Sequence, residues 1–140
     1  MLDKEFIKNK INFIHKDLKN LAGFKAYSLQ EITSNSYRHM VIERLFEKII
    51  GDALDINQHI IAQNKEIEVP NDYKETFLAL IKLKILPKKI GEEISKSAGL
   101  RNILVHQYRE LNEQIFYKSI KSCLRDYAKY CEYILRFIEK

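Results

Sequence analysis

The sequence predicts an all-α domain, an up-and-down four-helix bundle with one or two extra short helices. Three observations point there. Apolar residues recur at spacings of three and four along most of the chain, and no stretch alternates at period two. Only four Gly and two Pro stand among 140 residues, too few for the frequent turns of a sandwich or barrel. Hydrophobic residues make up 46% and charged residues 31%, a balance that excludes disorder and leaves a core to bury. A single domain over residues 1–140 is expected at this length.

Each element has its own signal. Ile7, Ile11, Ile14, Leu18 and Leu21 form the stripe of a first helix, ending near Gly23, a residue free to adopt a left-handed C-terminal conformation. Ser28 and Glu31 have capping-box spacing and predict a short helical turn. Ser34, Asn35 and Ser36 offer N-caps for a long second helix over about residues 36 to 64. It carries two apolar stripes, one through Val41, Leu45, Ile49, Ile56 and Ile60, the other through Ile42, Phe46, Ile50 and Ala53. So broad a face predicts more than one neighbour. Val69-Pro70-Asn71 breaks the pattern, and a shorter third helix over about 72 to 84 carries Phe77, Leu80 and Ile81. Pro87 is expected in the first turn of a fourth helix that runs on to His106. Asn112 caps the fifth, whose stripe of Phe116, Ile120, Cys123, Tyr127, Cys131, Ile134 and Ile138 continues to the end of the chain.

No run is long and apolar enough to span a membrane. The mixed charges of Met1 to Glu5 lack the apolar core of a signal peptide, so a cytoplasmic location is expected. Cys123 and Cys131 lie roughly 12 Å apart along one helix at 1.5 Å per residue, beyond the Cα separation of about 7 Å that a disulfide tolerates. Two reduced, buried thiols are expected. The net charge is +5, and its distribution is uneven. Residues 74 to 109 hold eight basic and three acidic side chains, while the remainder holds 16 of each. The whole excess therefore lies in one segment, which suits a polyanion such as RNA, although a lysine-rich solvated face would read the same way.

The sequence has no phosphate-binding Gly-rich loop, no Gly-x-Ser-x-Gly and no His-Glu-x-x-His, and its histidines have no metal-ligand spacing, so neither metal nor cofactor is expected. His15 and His39 read as surface residues, and His59, beside Ile56 and Ile60, as a hydrogen-bonded packing residue. The stretch from Ala98 to Tyr108 differs. At about 100° per residue, Asn102 and His106 share one helix face and Arg101 and Tyr108 the neighbouring one. Arg101 offers a planar fork matched to phosphate oxygens, and His106 a proton acceptor and donor near neutral pH. Such groups suffice to break RNA without a metal: a base withdraws the 2′-hydroxyl proton, and an arginine stabilises the charge that builds on the phosphoryl oxygens. Arg101 and His106 lie about 140° apart on an ideal helix, so one copy does not make a tight pair. A two-fold dimer that lays one motif against its twin would close the gap and supply a second histidine. The residues alone leave open an ordinary surface arginine, an i,i+4 pair and an interface ring.

Arg-x₄-His-x-Tyr, here Arg101, His106 and Tyr108, with Asn102 after the arginine and Ala98-Gly99 before it, resembles the signature of the HEPN superfamily. More closely it resembles the HepT-like toxins of HepT–MntA (type VII) toxin–antitoxin systems. The likeness extends to the long second helix, with Val41 to Arg44 leading to Asp55, Ile56 and His59 to Ile61. It also takes in the Ile85-Leu86-Pro87 turn and the closing amphipathic helix. The resemblance implies a metal-independent endoribonuclease, active as a homodimer, with Arg101 and His106 catalytic, Asn102 supporting and RNA as substrate. It also implies a partner, an MntA-type nucleotidyltransferase antitoxin that transfers AMP onto the motif tyrosine, here Tyr108. The alternative is a HEPN-type module that binds nucleotide or partner with little or no nuclease activity.

Overall fold

The computed structural model describes residues 1–106 and 111–140, the side chain of His106 excepted. It contains α1 (Lys4–Ala22), α2 (Leu29–Thr33), α3 (Ser36–Ala62), α4 (Tyr73–Lys82), α5 (Lys88–Ser95), α6 (Ser97–His106) and α7 (Glu113–Ile138). No strand occurs among the described residues.

Local chemistry sets the helix starts. Asp3, Asn35 and Asp72 each accept a backbone N–H of the first turn of α1, α3 and α4. Ser28 and Glu31 close the reciprocal capping box expected of them. Asn112 Oδ1 accepts from the N–H groups of Gln114 (3.0 Å) and Ile115 (3.1 Å), so α7 begins where its cap was anticipated.

Three details depart from the sequence expectation. Gly23 closes α1 in the right-handed region (φ −65°, ψ −17°) and needs no glycine freedom. Pro87 stands just outside α5 as its N-cap, at ψ 150°, rather than in the first turn. The fourth helix is also two helices, interrupted at Lys96. There the Ser95 hydroxyl donates to Glu92 O (2.7 Å) and the Ser97 hydroxyl to Ile94 O (2.6 Å). The Lys96 N–H tightens onto Glu93 O at 3.3 Å. Serine hydroxyls that compete for backbone carbonyls loosen a helix in this way.

Cross-links between helices give the topology. The Asp3 N–H meets His59 Nε2 (2.9 Å), Lys10 pairs with Asp55 (2.9 Å) and Lys48 with Asp17 (3.0 Å), so α3 runs antiparallel to α1. His39 meets Glu113 (2.8 Å) near the start of both helices, and Asn57 meets Tyr130 (2.6 Å) further along, so α3 and α7 run parallel. Ser97 meets Tyr127 (2.6 Å) while Pro87 and Lys88 lie beside Phe137, so α5 and α6 run antiparallel to α7. The limbs α1, α3, α5 with α6, and α7 thus make the up-and-down bundle, with α2 and α4 as the additional short helices. Their apolar stripes meet in one core, where Phe77, Tyr127 and Tyr130 pack edge-on with centroids 5.8 to 6.5 Å apart. Such ring pairs add about 0.5–1.5 kcal/mol each beyond their burial. Gly91 lets α5 approach α4 closely, since a Cβ there would meet the Ile81 side chain at 2.4 Å. Cys123 and Cys131 are free and buried, and burial raises the Cys131 thiol to about 12.

The turn from α4 to α5 contains the one positive-φ residue among those described, Lys84 at φ 61°. The Ile85 N–H reaches back to Leu80 O (2.9 Å) and the Lys84 N–H to Ile81 O (2.9 Å). This is the Schellman closure, whose left-handed position favours glycine. Lys84→Gly is therefore expected to stabilise the fold by about 0.5–1 kcal/mol, read as a higher midpoint in urea with an unchanged slope. No gain would mean that the lysine side chain contributes as much as its backbone costs.

Candidate active site

The helix α6 carries the motif, and its start is pinned from both sides. Ser97 Oγ donates to Ile94 O, so the Tyr127 hydroxyl is the donor in the 2.6 Å contact between Tyr127 and Ser97. Burial holds that phenol neutral, well above its ordinary range. Ala98, Leu100 and Leu104 turn into the core and fix the rotation of the helix.

That rotation leaves Arg101 half-buried between α3 and α4. Its Nε lies close to Gly51, where a Cβ would sit 3.7 Å from it, and its guanidinium carbon stands 5.4 Å from the Tyr73 ring centroid. Nε is shielded from solvent and has no hydrogen-bond partner among the described residues. Among the described residues no carboxylate pairs with this guanidinium, whereas Lys10, Lys48, Lys96, Arg44 and Arg125 each have one. A cation held over an aromatic face, with no carboxylate partner among the described residues, is suited to receive an oxyanion.

Asn102 is half-buried on the adjoining face. His106 is the last residue of α6, about 140° around the helix from Arg101. The backbone thus keeps the separation that the spacing predicted. The His106 side chain and Tyr108 lie outside the described residues, so the expected grouping of all four rests on the sequence for those two. Among the described residues no three His, Cys, Asp or Glu side chains are grouped to hold a metal ion.

The other histidines divide. His15 is exposed, as expected, and His59 is the expected packing residue, accepting from the Asp3 N–H and lying 5.2 Å from the Phe6 ring. His39 is not a surface residue. It is 8% exposed, stacked on Phe116 at 4.3 Å, with Nδ1 on Glu43 and Nε2 on Glu113. This contact fixes the first turn of α7, as the Tyr127–Ser97 contact fixes the start of α6. Glu43 at i+4 was a readable signal; Phe116 and Glu113 were not, because only the fold brings them near. Tyr73, the ring beneath Arg101, was missed for the same reason.

Comparison with known proteins now bears on this geometry. A family model described as Ribonuclease HepT-like matches residues 14–134. The chain belongs to that family. Two curated HepT-like relatives align over almost their whole length. A tRNA nuclease HepT of Aphanizomenon flos-aquae is 29% identical over 137 residues, covering 98% of this chain and 92% of the relative. An mRNA nuclease HepT of Shewanella oneidensis is 27% identical, covering 93% and 96%. Among solved structures, the tri-AMPylated Shewanella oneidensis HEPN toxin in complex with MNT antitoxin superposes with a TM-score of 0.82. It is 23% identical and covers 94% of this chain and 97% of that one. YutE of Bacillus subtilis, a cytosolic protein of unknown function, gives a TM-score of 0.84 at 20% identity, with 99% and 92% covered. These structures share the HepT-like fold. No helix among the described residues is long and apolar enough to cross a membrane.

Proposed function

We propose that this HepT-like chain is the toxin of a type VII pair, a metal-independent endoribonuclease silenced by AMP transfer onto Tyr108. The observation that carries the reading is Arg101: a guanidinium over Tyr73, without a carboxylate among the described residues, five positions before a histidine on a helix anchored at its start. In this mechanism His106 accepts the proton of a ribose 2′-hydroxyl. The 2′-oxygen bonds to the adjacent phosphorus, the bond from phosphorus to the 5′-oxygen breaks, and the leaving oxygen takes a proton from the second His106. Arg101 holds the charged phosphoryl oxygens and Asn102 orients the imidazole or the substrate.

The second His106 comes from a homodimer. Its support is the outer face of α6, where Gly99, Asn102, Val105 and His106 fall together at about 100° per residue. Val105 is 45% exposed, and a Cβ on Gly99 would meet nothing within 4 Å. A glycine inside a helix costs about 1 kcal/mol relative to alanine, and no described residue crowds a side chain out of this position. A twin helix approaching at Gly99 would do so. The relatives, named as tRNA and mRNA nucleases, support RNA as substrate. The AMPylated toxin bound to its antitoxin supports an MntA-type nucleotidyltransferase as partner, and the cytosolic YutE of the same fold supports the expected cytoplasmic location.

Purified protein should cleave RNA equally with and without EDTA, and His106→Ala should lose about 10²–10⁴-fold in rate. Arg101→Lys should be severely impaired as well, because a point charge cannot reproduce a bidentate fork. Activity that needs Mg²⁺, or that survives His106→Ala, would overturn the mechanism. Incubated with its partner enzyme and ATP, the wild type should gain AMP and lose activity, whereas Tyr108→Phe should gain none and keep cleaving. An undiminished AMP mass shift in Tyr108→Phe would remove Tyr108 from the regulation.

A further inference from the structure

A second feature of the basic segment lies well away from the motif, at the other end of the bundle. The α4–α5 turn and the last turn of α7 enclose a groove of about 500 Å³. Four cations line it, Lys84, Lys88, Arg136 and Lys140, together with the half-buried rings of Tyr133 and Phe137, and no Asp or Glu side chain does. None of the four cations is in an ion pair among the described residues, and Arg136 instead lies 5.0 Å from the Tyr133 centroid.

Helix electrostatics accounts for only half of this charge. Arg136 and Lys140 lie at the C-terminal end of α7, where cations offset the helix dipole. Lys88 lies in the first turn of α5, which has no acidic residue, and there a cation opposes the dipole. Lys84 occupies the left-handed position of the Schellman turn, where glycine would be easier. Two lysines thus stand where the fold disfavours them, and both line the groove. Backbone strain at a charged, exposed position is a pointer to function rather than to stability.

We propose that this groove is a second RNA-binding site, in which Lys84, Lys88 and Arg136 hold backbone phosphates and Tyr133 and Phe137 stack an unpaired base. Cations interleaved with aromatic rings are the general means of holding single-stranded nucleic acid. The inference rests on RNA being the substrate. Lys88 precedes His106 by 18 residues of nearly continuous helix, on the order of 25 Å at 1.5 Å per residue. That span matches about seven base steps of a strand at 3.4 Å each. The groove would grip a long RNA some distance from the bond that is cut, and a dinucleotide could not reach both.

The test is anisotropy of a 5′-labelled single-stranded RNA with His106→Ala protein, so that binding is read without cleavage. Adding Lys84→Glu and Lys88→Glu should weaken binding by at least about tenfold and flatten the salt dependence by about 0.7 in slope per lost contact. Lys8→Glu with Lys16→Glu, an equal charge change on the exposed face of α1, should weaken it far less. Equal losses from the two pairs would mean a diffuse field and overturn the groove. So would unchanged binding, or a charge dependence seen with phosphatidylserine vesicles and not with RNA. The two readings fail separately. RNA that the wild type binds through the groove but never cuts would end the nuclease assignment, whereas RNA that it cuts while the groove variants bind normally would end this one.

Discussion

Asn57, fully buried on α3, is the contact on which the site's architecture depends. Its Oδ1 accepts from the Tyr130 hydroxyl on α7 at 2.6 Å, and its Nδ2 donates to Thr76 Oγ1 on α4 at 3.1 Å. The Thr76 hydroxyl then donates to Tyr73 O at 2.7 Å, and the Tyr130 hydroxyl also reaches Ala53 O at 3.1 Å. One amide therefore sets the register of three helices and the height of Tyr73, the ring beneath Arg101. A buried polar group left unpartnered costs about 1–3 kcal/mol, so a slip of α4 along α3 is penalised even where apolar packing would tolerate it. The short helix that carries Tyr73 is held by hydrogen bonds as much as by its core residues.

Two cations stand where stability alone would not put them. Arg101 has a desolvated Nε with no partner among the described residues. Lys84 accepts a left-handed backbone at a position suited to glycine. A fold built for stability alone would pair the first and replace the second. The contrast with α1 is plain, since Lys10 bridges Asp52 and Asp55 and Lys48 answers the buried Asp17. Paired charges join the helices of the α1–α3 face, while the unpaired ones at Arg101 and around the groove belong to the basic segment and the end of α7. Among the described residues none of the six lysines of residues 74 to 109 is paired across helices, and all six are exposed.

Much of this was legible before any coordinates. Stripes such as Ile7, Ile11 and Ile14 identify a helix because burial demands that period, and Ser28, Asn35 and Asn112 mark starts because orphan N–H groups need acceptors. The interruption at Lys96 was not legible. Ser95 and Ser97 are ordinary helix residues until their hydroxyls turn onto Glu92 O and Ile94 O. His39 failed for a different reason: Glu113 stands 74 residues away, and nothing local distinguishes a histidine that will stack on Phe116 from one left in water. Of the site, the residue types and spacing were readable from Arg101 to Tyr108. The aromatic support of Arg101 was not, because Tyr73 reaches it only through the Asn57 network.

In the proposed mechanism one cleft is shared by two chains, because Arg101 and His106 lie about 140° apart around α6. Mixed dimers test it most directly. Arg101→Ala and His106→Ala proteins, each inactive, are dissociated, combined and reassociated, and RNA cleavage is measured on dimers that native mass spectrometry shows to be mixed. Cleavage should return in part, above either parent, with one subunit supplying Arg101, its partner the one remaining His106 as base, and water in place of the second His106 as acid. Mixed dimers as inactive as either parent would contradict it.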